Sequence, residues 1–265
     1  MHAYNEKGEP VYQVPNVSKG GMRNTTVTDC RKLGLFPSVT EITGQLDKPA
    51  LLQWKIDKVL NETLKTPFDA DDFFNLDECD KYKRDILRKV AKEAEKAPAL
   101  GSAIHDELEQ WYKAGGDTVP SDRIASAVFA VRDQVGKHDY IAEKSFCHKL
   151  GFGGKVDLHA NYLFEHETKD NAHYQMNGIV LDFKTKDTLD VKKFKGYKEH
   201  IMQLAAYRHG LGIPFADCYN LFISSQDTKI IKLVQYKEEE LQQAWEMFKC
   251  LLKFWQLNNK MEVRA

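Results

Sequence analysis

The sequence predicts an α/β fold, a mixed sheet covered by helices. Three observations carry that prediction. After residue 100 the apolar pattern runs helix, three strands, helix, two strands, helix. Within it, Gly178-Ile179-Val180-Leu181 is an apolar run of the kind found in central strands. Upstream, the first hundred residues carry mostly helix-period patterns, which fits an N-terminal helical cap on the same body. Residues 1–100 are therefore read as an N-terminal segment and cap, and residues 101–265 as the core, the whole forming one compact unit.

Residues 1–36 are polar and mixed, with Val11-Tyr12-Gln13-Val14 offering one edge strand. Ser38 and Glu41, three residues apart, have the spacing of a capping box, so a short helix should follow. A second helix is expected from Pro49 to Leu64, with Leu52, Ile56, Val59 and Leu60 on its inner face. Residues 66–80 read as an acidic loop. The helical pattern resumes over 81–97 with Ile86, Leu87, Val90 and Ala94 inward. The helix after Gly101 sets Ile104, Leu108 and Trp111 at i, i+4 and i+7 and stops at Gly115-Gly116; another covers Ser121 to Val135. Strands are expected at 140–148, 154–160 and 178–185, a helix from Tyr197 to Gly210, and strands at 217–224 and 229–235. The last helix opens on Glu238-Glu239-Glu240, acidic where its dipole favours negative charge. Its stripe is Leu241, Trp245, Phe248, Leu252 and Trp255.

The chain has 265 residues, 42% hydrophobic and 29% charged, an ordinary globular composition. A formal net charge of −1 neither advertises nor excludes a polyanionic partner, since positive charge can be concentrated locally. Five cysteines without a C-x-x-C pair argue for reduced thiols and against zinc or iron–sulfur ligation. The first ten residues lack the apolar stretch of a signal peptide, and no 18 apolar residues run together. The expectation is a soluble, cytoplasmic protein without a membrane partner.

Chemistry concentrates in two short segments. On a strand, Asp182 and Lys184 project together while Ile179, Leu181 and Phe183 project the other way. A D-x-K pair also describes a solvent-facing ion pair, but near the end of an apolar strand such charges are costly unless used. Asp157 lies in a second apolar segment, after Gly153-Gly154. If it neighbours Asp182, the two carboxylates and the lysine make a divalent-metal site with a positive donor beside it. His105 and Glu109 stand at i and i+4 on a helix, which equally describes a core-edge histidine satisfied by the glutamate. Gln203 and Tyr207 are likewise i and i+4, as on the polar shoulder of an amphipathic helix. Lys192, Lys193, Lys195 and Lys198 suit either a solvated loop or phosphate contacts, as do Lys81, Arg84, Arg88 and Lys92 on one helix face.

Taken in order, G-x-x-x-H-x-x-x-E on a helix, an acidic strand start at Glu143, G-G-K-V-D, L-D-F-K-T-K and Q-L-A-A-Y resemble the PD-(D/E)XK nuclease superfamily. Within it the set is similar to the RecB-type branch, which includes the mitochondrial genome maintenance exonuclease and many phage exonucleases. Pro37-Ser38-Val39-Thr40 and Gly101-Ser102-Ala103-Ile104-His105 resemble that branch too. The resemblance spans about residues 37–257 and is most specific from Gly101 to Tyr207.

The resemblance implies a restriction-endonuclease-like α/β/α sandwich with a central mixed sheet. It implies Asp157 and Asp182 as direct ligands of Mg²⁺ or Mn²⁺, with His105 and the Phe183 carbonyl completing the protein's share. Lys184 would be the motif lysine, Gln203 and Tyr207 the Q-x-x-x-Y pair that positions the site, and Glu143 a supporting or second-metal carboxylate. The activity implied is that of a metal-dependent deoxyribonuclease, an exonuclease acting on DNA that is single-stranded or has a free end, in recombination, repair or replication. A structure-specific endonuclease and a non-catalytic nucleic-acid-binding relative remain as alternatives. Two departures stand out. The polar stretch from Phe164 to Gln175 reads as an inserted loop, and no late cysteine group exists, so no iron–sulfur cluster is expected.

Overall fold

In the computed structural model, residues 1–18, 20–67, 75–94, 96–167, 172–187 and 189–264 are described. The chain divides into two compact units, one of Met1–Leu46 with His105–Ala265, the other of Asp47–Ile104. The N-terminal segment therefore belongs with the core rather than with the helices that follow it.

That segment holds more order than one edge strand. Its elements are strands β1 (Ala3–Tyr4), β2 (Gln13–Pro15) and β3 (Met22–Asn24), helix α1 (Val27–Leu33), strand β4 (Phe36–Pro37) and helix α2 (Val39–Thr43). β1 pairs with β4 and β2 with β3, both antiparallel. The expected cap at Ser38 forms, its Oγ accepting from the Glu41 amide at 3.1 Å. The reciprocal arm goes elsewhere: Glu41 Oε1 accepts from the His2 amide at 3.3 Å, tying α2 to the chain's start.

The second unit contains α3 (Pro49–Lys65) and α4 (Leu76–Ala94), which pack on each other. Tyr82 donates to the carbonyls of Thr63 and Thr66 at 3.2 and 2.8 Å, closing the end of the pair. Here the expected inner face holds only in part: Leu52, Ile56 and Leu60 are 58, 44 and 55% exposed and Leu87 is exposed as well, while Val59 and Val90 are half-buried. Two helices side by side bury only a narrow seam, so a full apolar stripe on α3 has nowhere to go. Ile86 does point inward; the Ala94 side chain lies outside the described residues, as do 68–74 of the expected acidic loop. α4 begins within that stretch, with Asp77 and Glu78 in its first turn.

From there the sequence order holds. Helices α5 (Lys96–Lys113) and α6 (Ala125–Gln134) lead into β5 (Ile141–His148), β6 (Phe152–Glu167) and β7 (Ala172–Lys186). Helix α7 (Lys198–Gly210), strands β8 (Asp217–Ser224) and β9 (Ile231–Gln235), and helix α8 (Glu238–Asn258) complete the chain. The five strands form one mixed sheet in sequence order, with β7 and β8 parallel and the other pairs antiparallel. α7 is the crossover that the parallel pair requires.

Of the stretch expected as an inserted loop, residues 164–167 and 172–175 are instead paired strand, the outer part of β6 and β7, and 168–171 lie outside the described residues. β6 and β7 stay in register from Leu158–Leu181 out to Glu167–Ala172. Backbone pairing with a hairpin neighbour needs no buried face to hold it. The core lies where α7 and α8 meet the sheet. Met202, Leu204, Ala205 and Ala206 of α7 are fully buried, and Leu241, Phe248, Leu252 and Trp255 of the predicted α8 stripe are buried with them. Arg208, 1% exposed, locks the two helices by a two-pronged bond to Glu238 at 2.6 and 3.0 Å. Among the described residues no helix is long and apolar enough to cross a membrane.

Candidate active site

The site forms where the β6–β7 ladder stops. Leu158–Leu181 is its last pair on that side, and the next β7 amide without a ladder partner, that of Phe183, donates instead to Asp157 Oδ2 at 2.7 Å. A side-chain carboxylate thus replaces a strand carbonyl, and the two strands part around it. Asp182 and Lys184 project to one side as alternation requires, with Lys184 Nζ 2.7 Å from Asp182 Oδ2.

Asp182 is 1% exposed, yet every bond to it comes from a donor. Gln203 Nε2 of α7 donates to Oδ1 at 3.0 Å and reaches the Tyr207 hydroxyl at 2.7 Å. Oδ2 accepts from Lys184 and also from Asn220 Nδ2 of β8 at 2.8 Å. Asn220 lies directly beside Asp182 in the parallel register. Its Oδ1 in turn accepts from the Tyr236 hydroxyl at 3.0 Å. Sequence reasoning does not single out Asn220 or Tyr236. The one signal for them is a lone amide inside the apolar run Cys218-Tyr219-Asn220-Leu221-Phe222, which is costly unless bonded.

The charges of these groups act on one another. Burial raises the Asp157 carboxyl, opposed by the Lys184 charge and the Phe183 amide bond. Asp182 is raised by burial too; Lys184 pulls it down and Asp157 pushes it up. Burial alone would lower Lys184, but the Asp182 and Asp157 charges outweigh it and hold the ammonium above its ordinary value. A buried carboxylate, Asp182, and a half-buried one, Asp157, thus share the charge of one ammonium.

His105 of α5 joins them. Its Nδ1 is 3.7 Å from Asp157 Oδ2, and its ring meets that of Phe183 edge-on at 6.0 Å. Tyr112, two turns on, lies nearly parallel to Phe183, so α5 is fixed against the strand by the residue between the two charged positions. Burial lowers His105 and favours the neutral imidazole. Glu109, the other partner its helix offers, pairs with Lys113. Glu143, on β5, pairs with Lys155 of β6 and has a left-handed backbone at φ 60°. It interrupts the β5–β6 ladder between the pairs Ala142–Leu158 and Lys144–Val156, level with Asp157. A non-glycine residue in that conformation is strained and is held by its surroundings.

The loop after β7 carries the predicted lysines. Lys192, Lys193, Lys195 and Lys198 are all exposed. The Asp190 carboxylate accepts from the amides of Lys192 and Lys193 at 3.0 and 3.2 Å, shaping the turn. Lys186 anchors the loop: its ammonium sits over the rings of Phe194 and Tyr197 at 4.1 and 4.6 Å and donates to the Tyr197 hydroxyl at 2.7 Å. Of the other basic candidates, Lys81 pairs with Glu78 and Arg88 with Asp85, both within α4.

The donor set fits a hard divalent cation. It consists of two carboxylates, a neighbouring backbone carbonyl at Phe183, and a neutral imidazole; the imidazole suits Mn²⁺ better than Mg²⁺. Among the described residues no group of three or more His, Cys, Asp or Glu side chains is drawn together as a ligand cage. That is compatible with Mg²⁺-type binding, which uses one or two carboxylates and leaves the remaining positions to water and phosphate.

No protein-family model matches the chain, and no curated protein does. Among solved structures, one described as the crystal structure of SSO0001 aligns with 76% of this chain and 86% of its own, at 13% identity and a TM-score of 0.32. A likeness that low carries no argument about fold or function.

Proposed function

We propose that this chain is a metal-dependent deoxyribonuclease of PD-(D/E)XK type, an exonuclease acting on DNA ends, with a restriction-endonuclease-like arrangement of its sheet and helices. The observation that carries the reading is the meeting of Asp157, Asp182, Lys184 and His105, from three separate elements, where the β6–β7 ladder opens. Asp157, Asp182 and the Phe183 carbonyl, with His105 beside them, would hold Mg²⁺ or Mn²⁺. When bound, such a cation polarises a phosphate oxygen and acidifies a water.

The protein's own groups do the rest. Lys184 presents a fixed positive charge, held by Asp182, where negative charge develops on the phosphate during cleavage. Gln203 holds Asp182 in orientation and is itself braced by Tyr207. The neutral His105 keeps a lone pair available. The exposed lysines from Lys192 to Lys198 contact backbone phosphates and draw the strand toward the ladder opening. Digestion of linear and covalently closed circular DNA, in Mg²⁺ or Mn²⁺ and with EDTA, tests the proposal. Cation-dependent loss of linear DNA alone is expected. Nicking of circles makes the enzyme an endonuclease, and no cleavage with either cation overturns the nuclease reading.

A further inference from the structure

We infer that Asn220 and Tyr236 are positioning residues for Asp182, a buried relay that sets this carboxylate's orientation toward a divalent cation; the inference rests on the nuclease reading above. Asn220 is wholly buried on β8, and its Nδ2 spans Asp182 at two atoms, Oδ2 at 2.8 Å and the main-chain carbonyl at 3.3 Å. Only the amide nitrogen can serve there, because both atoms are acceptors. The amide oxygen then faces the other way, and the Tyr236 hydroxyl donates to it at 3.0 Å. A phenol hydroxyl can donate or accept, so it is the two Asp182 acceptors that fix which way the amide points and make Tyr236 the donor. The relay therefore has one polarity: Tyr236 to Asn220 to Asp182.

Two further contacts hold the far end. The Tyr236 amide donates to the Cys218 carbonyl at 3.1 Å, which keeps the residue beside β8 although β9 has ended. Gly196, in the lysine-bearing loop, has φ +85°, and a Cβ there would come within 2.5 Å of the Tyr236 hydroxyl. The backbone of the loop that carries the exposed lysines thus lies against the head of the relay. Lys184 and Gln203 also bond Asp182, but Lys184 serves a charge role and Gln203 approaches from the helix side. Asn220 is the donor that ties both the side chain and the main chain of Asp182 to the neighbouring strand.

Tyr236→Phe tests the relay because it keeps the ring and removes only the donor; Asn220→Ser, which removes the donor to Asp182, covers the case in which the first variant does not fold. The readouts are Mn²⁺ binding, followed by electron paramagnetic resonance of the free ion, and steady-state cleavage of linear DNA. The expected result is Mn²⁺ affinity about tenfold weaker and kcat lower by a similar factor, the usual effect of losing a group that orients a ligand. KM for DNA and its salt dependence should stay unchanged. Tyr219→Phe, on the adjoining residue whose side chain points to the opposite face, should leave all of these as they are. Unchanged Mn²⁺ affinity in Tyr236→Phe and Asn220→Ser, with wild-type binding intact, overturns this inference alone. A wild-type protein that leaves Mn²⁺ free overturns the nuclease reading and the relay with it.

Discussion

Asp182→Asn should abolish cleavage and at the same time stabilise the cation-free protein. The substitution is nearly isosteric, and the surroundings can accept it without stranding a polar atom. The new amide's oxygen can keep the bonds from Lys184 and Asn220. Its NH₂ would face Gln203, whose own amide can turn so that its oxygen accepts both from that NH₂ and from the Tyr207 hydroxyl. What disappears is the buried one of two carboxylates that compete for a single ammonium. Burial and Asp157 raise the Asp182 carboxyl on folding. The folded protein therefore binds more protons than the unfolded chain between the ordinary carboxylate value near about 4 and the raised one, and stability falls as pH rises through that window. Each unit of elevation is worth about 1.4 kcal/mol, and each kcal/mol about 2–4 °C in a chain of this size. In EDTA at pH 8 the variant should melt a few degrees above wild type. The advantage should shrink on acidification and vanish below about pH 4, where wild-type Asp182 is protonated in both states. Added Mn²⁺ should raise the wild-type Tm and leave that of the variant where it is, by mass action on the folded state. Differential scanning fluorimetry across pH measures all of this. A variant that melts below wild type at pH 8, or whose offset is the same at both pH values, would refute the idea that Asp182 is held under electrostatic stress.

Other consequences are separable. Lys184→Met should lower the single-turnover cleavage rate by about 10²-fold or more while the protein stays folded; cleavage at the wild-type rate removes Lys184 from the chemistry. Replacing Lys192, Lys193, Lys195 and Lys198 together by Gln should weaken DNA binding and reduce the slope of log affinity against log salt by about 0.7–0.9 for each phosphate these lysines neutralise; an unchanged slope would show that the strand does not cross this loop. Glu238→Ala should cost about 1–3 kcal/mol in urea unfolding, because it strands the Arg208 guanidinium between α7 and α8; an unshifted midpoint would show that the pair adds nothing to the core. Lowering pH from about 6.5 toward 4 should destabilise the protein partly through His209. Burial against Trp245 holds that imidazole down to about 4, so the unfolded chain takes up the proton first, and His209→Gln should flatten the acid limb of the pH–stability curve.

The parts of the molecule readable from sequence are those where one local rule decides. Alternation alone dictates that Asp182 and Lys184 share a face, and the i, i+4 spacing alone puts Gln203 and Tyr207 on one side of α7. The α8 stripe is a pattern of about four turns with a single solution, and all but Trp245 of its five residues are buried. What sequence misses depends on partners that are remote in the chain. Leu52, Ile56 and Leu60 have a faultless helical period, but period cannot say whether a second layer exists to cover it. The outer hairpin escapes for the opposite reason. Its strands are paired through the backbone, and the polar residues between Phe164 and Gln175 leave no apolar alternation to detect.

Asn220 shows most clearly why a motif under-describes a site. The PD-(D/E)XK pattern that the sequence resembles records groups that would face the substrate or the metal, whereas Asn220 is buried and bonded to Asp182. Its role comes from β7 and β8 running parallel in a register that sets it directly beside Asp182, a pairing that only the crossover through α7 creates. An aspartate whose oxygens are met by a lysine, a glutamine and an asparagine has little rotational freedom left, and the two amide donors are braced in turn, Gln203 by Tyr207 and Asn220 by Tyr236. Rigidity of this kind matters more for a hard cation than the number of protein ligands, since Mg²⁺ tolerates little departure from octahedral angles and takes the balance of its shell from water and phosphate. A sparse set of ligands with a dense set of braces is what the proposed cleavage would need, since the cation would have to keep positions open for the phosphate.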